Sequence, residues 1–174
     1  LISRKVHIIG QGLAGTVLAL QLLERGVEVY IKDKGLQFGS SALAAGLWNP
    51  VGYKNLHSIW NAHALLAEMQ RFYLRAESIL QSNFFHPKYL LRIFPDTLSV
   101  NEWDERSVRD DLRDLIESNQ RFGKLSEVHN PHGYGVVSSA GWLDVGRFLQ
   151  ASRAYFLANG LLEESNAADF PADQ

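Results

Sequence analysis

A short apolar run, Val6-His7-Ile8-Ile9, enters the turn Gly10-Gln11-Gly12-Leu13-Ala14-Gly15, and Asp33 follows Gly10 by 23 positions. Between them lie an apolar stretch at 16–25, predicted as a helix, the terminator Gly26, and a second apolar stretch at 27–31 that delivers the acid. Strand, glycine turn, helix, strand and acid in this order leave few folds open, because each glycine has a geometric task. Gly10 permits the tight turn. Gly12 lets a ligand approach the backbone without a Cβ in the way. Gly15 lets the helix sit close to the strand. The helix N-terminus presents unpaired N–H groups and a partial positive charge. An acid at the end of the second strand can accept hydrogen bonds from ribose hydroxyls. The pattern therefore predicts a dinucleotide-binding βαβ unit. The bland alternative is a βαβ unit whose glycines serve packing alone, and Asp33 argues against it.

Residues 6–23 contain no Asp, Glu, Lys or Arg, which also suggests a hydrophobic targeting segment. Gly10, Gln11, Gly12 and Gly15 sit badly in a membrane span, and a charged helix end follows instead of a cleavage site. With 46% apolar and 21% charged residues the composition is that of an ordinary globular protein. A net charge of -2 provides no electrostatic reason to expect nucleic acid or an anionic membrane as partner. The chain has no cysteine, which excludes disulfides, thiolate metal sites, a thiol nucleophile and sulfur-linked flavin. That is compatible with the cytoplasm, where the protein is expected to act. The first residue is Leu1 rather than Met, so the chain reads as a processed, trimmed or partial form of its gene product.

After a short polar loop at 34–39 comes Ser40-Ser41-Ala42-Leu43-Ala44-Ala45-Gly46-Leu47-Trp48-Asn49-Pro50-Val51-Gly52. Its small residues suit either a tightly packed helix with a glycine terminator or close approach to a flat ligand. Residues 56–80 are predicted as a long helix with Ile59, Ala62, Leu66, Met69, Tyr73, Ala76 and Leu80 on one face. Further along, a strand is expected at 89–94, a loop at 96–101, a charged helix at 102–118 and a strand at 134–139. Asp144 suits an N-cap for a helix at 145–158, Asn159-Gly160 suits its end, and 161–164 reads as a strand. No repeat or flexible linker is apparent.

Taken together the chain resembles the D-amino-acid-oxidase-like family of FAD-dependent oxidoreductases. The resemblance rests on the glycine turn, Asp33, the Ser40-Ser41…Ala44-Ala45-Gly46 stretch and Gly141-Trp142-Leu143-Asp144 leading into an amphipathic helix. It implies an α/β, Rossmann-like FAD-binding domain, discontinuous over 1–50 and 134–174 and incomplete, with an inserted α+β substrate-domain segment at 51–133. It also implies that Gly10, Gly12, Leu13, Ala14 and Gly15 meet the FAD diphosphate and that Asp33 holds the adenosine ribose. Ser40 or Ser41 would donate to phosphate, and Ala44, Ala45, Gly46 and Leu47 would line the isoalloxazine, with Trp48 and Asn49 near its edge. Lys34 belongs to the same cofactor set. It and Lys32 flank Asp33 and could accept a 2′-phosphate, but Asp33 repels one, so FAD is favoured over NADP. Gln11 is bulkier than the alanine often found at its place. Family chains are about twice this length, so the chain reads as an N-terminal half. Left alone it would expose apolar sheet edge and self-associate.

The expected activity is oxidation of an amine or amino acid by hydride transfer to flavin. Tyr53, Tyr89 and Arg92 could touch a substrate carboxylate, but ordinary strand and loop roles are the favoured reading. His57 with His63, and His129 with His132, lack a carboxylate pattern that would complete a metal site. No G-x-S-x-G elbow accompanies Ser40-Ser41. Two rival functions stay open: a nicotinamide-dependent dehydrogenase, and a non-catalytic nucleotide-binding or interaction fragment.

Overall fold

The computed structural model describes residues 5–35, 40–52, 54, 56–117, 125 and 127–165. The chain divides into two compact units. One comprises Leu1–Gly46, Leu74–Phe84 and Asp144–Gln174, the other Leu47–Tyr73 and Phe85–Leu143.

The first unit carries a parallel sheet in the order β1 (Lys5–Ile9), β2 (Glu28–Asp33), β9 (Leu162–Glu164). Val29 and Ile31 of the central strand are buried, as are Ala19 and Leu20 of α1 (Leu13–Glu24) and Phe148, Leu149 and Phe156 of α4 (Val145–Ala158). Full burial of one such side chain stabilises by about 1.5–3 kcal/mol. Phe84 meets Phe148 with ring centroids 5.0 Å apart. Both helices end in the same two-bond closure. Gly26 N donates to Leu23 O and Val27 N to Leu22 O; Gly160 N donates to Leu157 O and Leu161 N to Phe156 O. Asp144 caps α4 by accepting from Arg147 N, as the sequence predicts. Helix α1 begins at Leu13, three residues before the predicted start, because Gly12 itself is the N-cap and the glycine turn runs directly into the first helical turn.

The second unit is organised around β8 (Tyr134–Leu143), which pairs antiparallel with β3 (Leu47–Trp48), β6 (Phe85–Ile93) and β7 (Ile116–Glu117). A small hairpin of β4 (Val51–Gly52) and β5 (His57–Ser58) lies apart from that sheet. Trp103 of α3 (Thr97–Ser107) is fully buried in a cluster with Phe94, Leu112, Leu115 and Val137, and its Nε1 donates to Glu117 O at 2.7 Å.

Several elements differ from their predicted spans. The long helix α2 (Ala62–Leu80) starts six residues later than expected, because 57–58 pair as β5 and Leu56 and Asn61 adopt positive φ. Ile59 therefore precedes the helix and leaves the predicted stripe. Strand β6 extends back through Pro87, which is tolerated because β6 ends the β3–β8–β6 path of its sheet and need not donate outward. The predicted loop at 96–101 is the start of α3. Asp96 caps it, accepting from Ser99 N at 2.8 Å and from Ser99 Oγ at 2.7 Å, and the helix ends at Ser107. The two units divide at 46/47, 73/74, 84/85 and 143/144, with β8 paired along its length to β6.

Candidate functional site

In the first unit, β1 leads straight into the glycine turn and β2 ends at Asp33. Gly10 has φ +91°, and its N–H donates to Lys32 O at 2.8 Å. A Cβ at Gly15 would lie 2.1 Å from the carbonyl oxygen of Gly10, so only glycine allows this approach. A Cβ at Gly12 would meet Ser41 Oγ at 3.3 Å. The early N–H groups of α1 have no acceptor one turn back within the helix. That of Leu13 donates to Ser41 Oγ at 3.1 Å. Ser41, in the 3-10 turn Ser40–Leu43, thus reaches the helix N-terminus through a side-chain oxygen, the place where an anion would be stabilised.

Asp33 is the electrostatic centre of the site. Its Oδ1 accepts from Gln11 N at 2.9 Å, and its Oδ2 from Gly35 N at 2.8 Å and from Arg153 Nη1 at 3.0 Å. Burial pushes the Asp33 carboxyl up, but the amides of Gln11 and Gly35 and the Arg153 guanidinium outweigh it and hold the group below its ordinary value. Gln11 is 1% exposed. Its side chain turns inward: Nε2 donates to Leu149 O at 3.0 Å, and Oε1 accepts from Arg153 Nη1 at 2.9 Å.

A close-packed glycine turn, the N-terminus of α1 and an ionised acid at the end of the neighbouring strand fit a diphosphate and a ribose. Residues 5–171 match the family described as FAD dependent oxidoreductase (DAO). The chain belongs to this FAD-dependent oxidoreductase family. Over 153 residues it is 36% identical to the tRNA 5-methylaminomethyl-2-thiouridine biosynthesis bifunctional protein MnmC of Marinobacter nauticus, covering 86% of this chain and 23% of that protein. Among solved structures it resembles glycine oxidase from Geobacillus kaustophilus, with a TM-score of 0.64 at 17% identity over 90% of this chain and 45% of that one. It also resembles L-amino acid deaminase from Proteus myxofaciens, with a TM-score of 0.63 at 17% identity over 94% of this chain and 38% of that one. These structures share the fold, an α/β Rossmann-type arrangement. The chain spans about a quarter of the length of the MnmC relative and less than half of either structure.

Of the residues that the FAD-dependent family resemblance singles out, Gly10, Gly12, Leu13, Ala14, Gly15, Asp33, Lys34, Ser40, Ser41, Ala44, Ala45 and Gly46 lie in the first unit. Ser40, Ala44 and Ala45 are exposed, and Gly46 has φ +71°. Leu47 opens the second unit, half-exposed on β3 opposite Trp142. Trp48 stacks on Phe85 at 5.7 Å, and Asn49 folds onto Val51 through both side-chain atoms. Tyr89 is exposed on β6, and Arg92 lies opposite Gly135. Tyr53 lies outside the described residues. His57 lies over Gly52, where a Cβ would meet its ring at 2.6 Å, and His63 is exposed on α2. Among the described residues no three His, Cys, Asp or Glu side chains gather as metal ligands, and no helix is long and apolar enough to cross a membrane.

Sequence reasoning missed Arg153. Its only local signal is a cation on the otherwise buried face of α4, next to Ser152 and one turn after Leu149.

Proposed function

We propose that the protein is a flavoenzyme that oxidises a carbon bearing an amine nitrogen. The observation that carries this reading is the turn at Gly10–Gly15 set against Asp33 in a chain of the FAD-dependent oxidoreductase family. The backbone of Gly12, Leu13, Ala14 and Gly15 would hold the diphosphate, Asp33 the adenosine ribose, and Ser41 a phosphate oxygen in place of the Leu13 amide it now engages. Lys34 and the Ala44–Leu47 stretch complete the proposed cofactor set. The first unit would be the FAD-holding part and the second would contribute to the substrate side. When bound, the flavin supplies a hydride acceptor: the substrate carbon next to nitrogen loses hydride, the nitrogen loses a proton, and the resulting imine is hydrolysed by water.

The amine assignment is supported by the activities that name the structural neighbours, glycine oxidase and L-amino acid deaminase. A second reading has its own support in the 36% identity to MnmC: the amine could be carried on a tRNA nucleoside, as that relative's name describes. The net charge of -2 favours the small-molecule amine.

The test is the visible spectrum of the protein purified from its full reading frame, followed by anaerobic addition of glycine, N-methylglycine, D- and L-amino acids, 2-hydroxy acids and tRNA bearing aminomethyl-uridine. Bleaching of flavin bands by one of the amines supports the proposal, and tRNA alone as reductant selects the second reading. Reduction by 2-hydroxy acids and by none of the amines overturns it, as does a protein that binds no flavin.

A further inference from the structure

Arg153 stands between two acids and the glycine turn. Its Nη1 donates to Asp33 Oδ2 at 3.0 Å and to Gln11 Oε1 at 2.9 Å, and its Nη2 donates to Glu164 Oε1 at 2.6 Å. The side chains of Arg153 and Asp33 are each 12% exposed, that of Glu164 63%. Asp33 and Glu164 are register partners across β2 and β9. One guanidinium therefore ties together the turn after β1, the end of β2, α4 and the end of β9.

We infer that Arg153, through Gln11 and Asp33, is a positioning residue that presents the Asp33 carboxylate to the ribose of an adenine dinucleotide. The inference rests on the FAD reading above. Its physical basis is acceptor geometry. An ionised carboxylate has about four acceptor positions. Three are taken by Gln11 N, Gly35 N and Arg153 Nη1, which fixes the plane of the carboxylate and leaves its remaining capacity for a ligand hydroxyl. The planar fork of Arg153 reaches Gln11 and Asp33 with one nitrogen and Glu164 with the other, a span that a lysine ammonium cannot reproduce. The bulk of Gln11 is thereby explained: its carboxamide links the turn to α4, its Nε2 donating to Leu149 O and its Oε1 accepting from Arg153. The charges around Asp33 are Arg153 from α4, Glu164 from β9, and its chain neighbours Lys32 and Lys34.

The test compares wild type, Arg153→Met, Arg153→Lys and Asp33→Asn for binding of FAD, ADP and 2′,3′-dideoxy-ADP by calorimetry between pH 5 and 8, beside thermal melts. Wild type is expected to favour ADP over its dideoxy form by about tenfold or more, as for a hydrogen bond to a charged acceptor, with that ratio little changed over the pH range because the phosphates titrate alike in both ligands. Arg153→Met is expected to collapse the ratio towards that of Asp33→Asn and to move the acid loss of that ratio to higher pH than in wild type, as Asp33 protonates more easily. Arg153→Lys should lie between. A purely structural arginine would lower the melting temperature of Arg153→Met and leave ratio and pH profile at wild-type values, which overturns the inference. If Arg153→Met does not fold, Arg153→Lys decides: a wild-type ratio and profile there also overturn it. Failure of wild type to bind FAD or ADP overturns the flavin reading, and this inference with it.

Discussion

Gly15 and Gly146 allow the same substitution to be read in opposite directions. At Gly15 an alanine Cβ would stand 2.1 Å from Gly10 O, and 3.3 Å from both Gly10 C and Ile8 Cγ2. The nearest atom is backbone, so it cannot swing aside. The Gly10 peptide must retreat by about 1 Å, the kind of overpacking that costs about 1–3 kcal/mol. That motion strains the Gly10 N–H bond to Lys32 O at 2.8 Å, which joins the turn to β2, and a weakened bond of this kind costs about 1 kcal/mol. Alanine's better helix propensity returns about 0.5–1 kcal/mol. The net expectation is a loss of about 2 kcal/mol, or about 4–8 °C in Tm for a chain of this size. At Gly146, in the first turn of α4, a Cβ would meet only Asp144 Oδ1 at 3.6 Å, an ordinary contact. There the propensity gain stands alone, and Gly146→Ala should stabilise by up to about 1 kcal/mol. Urea and thermal melts of ligand-free protein measure both, because bound dinucleotide would add its own stabilisation. A Gly15→Ala protein that melts at or above wild type refutes the close-approach argument. A Gly146→Ala protein destabilised as much as Gly15→Ala shows that the two sites do not differ as their surroundings require.

Two further outcomes follow from the same geometry. Asp33 has a lowered pKa in the folded protein, so its contribution to stability is present above the unfolded value of about 3.9 and is lost as pH falls through the folded value. Asp33→Asn should therefore flatten the acid limb of the stability curve below about pH 4, and an unchanged acid limb would contradict the Asp33 hydrogen bonds described. Trp103→Ala should cost about 3–5 kcal/mol by leaving a cavity at a fully buried site, whereas Asp144→Ala should cost only about 0.5–2 kcal/mol by removing one cap from α4; equilibrium unfolding curves that reverse this ranking would refute it.

Features set by neighbours in the chain were legible in the residues themselves. The glycine turn, the Asp144 cap and the Gly26 and Gly160 helix ends depend on backbone freedom and on hydrogen bonds spanning three to five residues, so residue types at fixed offsets announce them. Asp96 carried the same kind of signal for α3. Pro95 and the polar residues after Asp96 equally suit a loop, which masks that signal. The start of α2 was obscured because Ile59 extends the apolar period past Asn61, whose positive φ begins the helix only after it.

The sequence by itself determined the βαβ start and the place of Asp33 at the end of β2, because a glycine required by a close approach and an acid at a strand end are properties of residue type and spacing. Tertiary structure alone decided the rest. The two-residue strands β3, β4, β5 and β7 exist only through pairing, and β8 was assigned to its antiparallel sheet by β6 and β3 partners 41–95 positions away in the chain. Arg153 is the clearest case: 120 residues separate it from Asp33, and α4 itself marks it only as a cation on a largely buried face. A charge becomes a positioning group only when folding removes water from around it and brings acceptors within 3 Å or so, which no stretch of sequence displays.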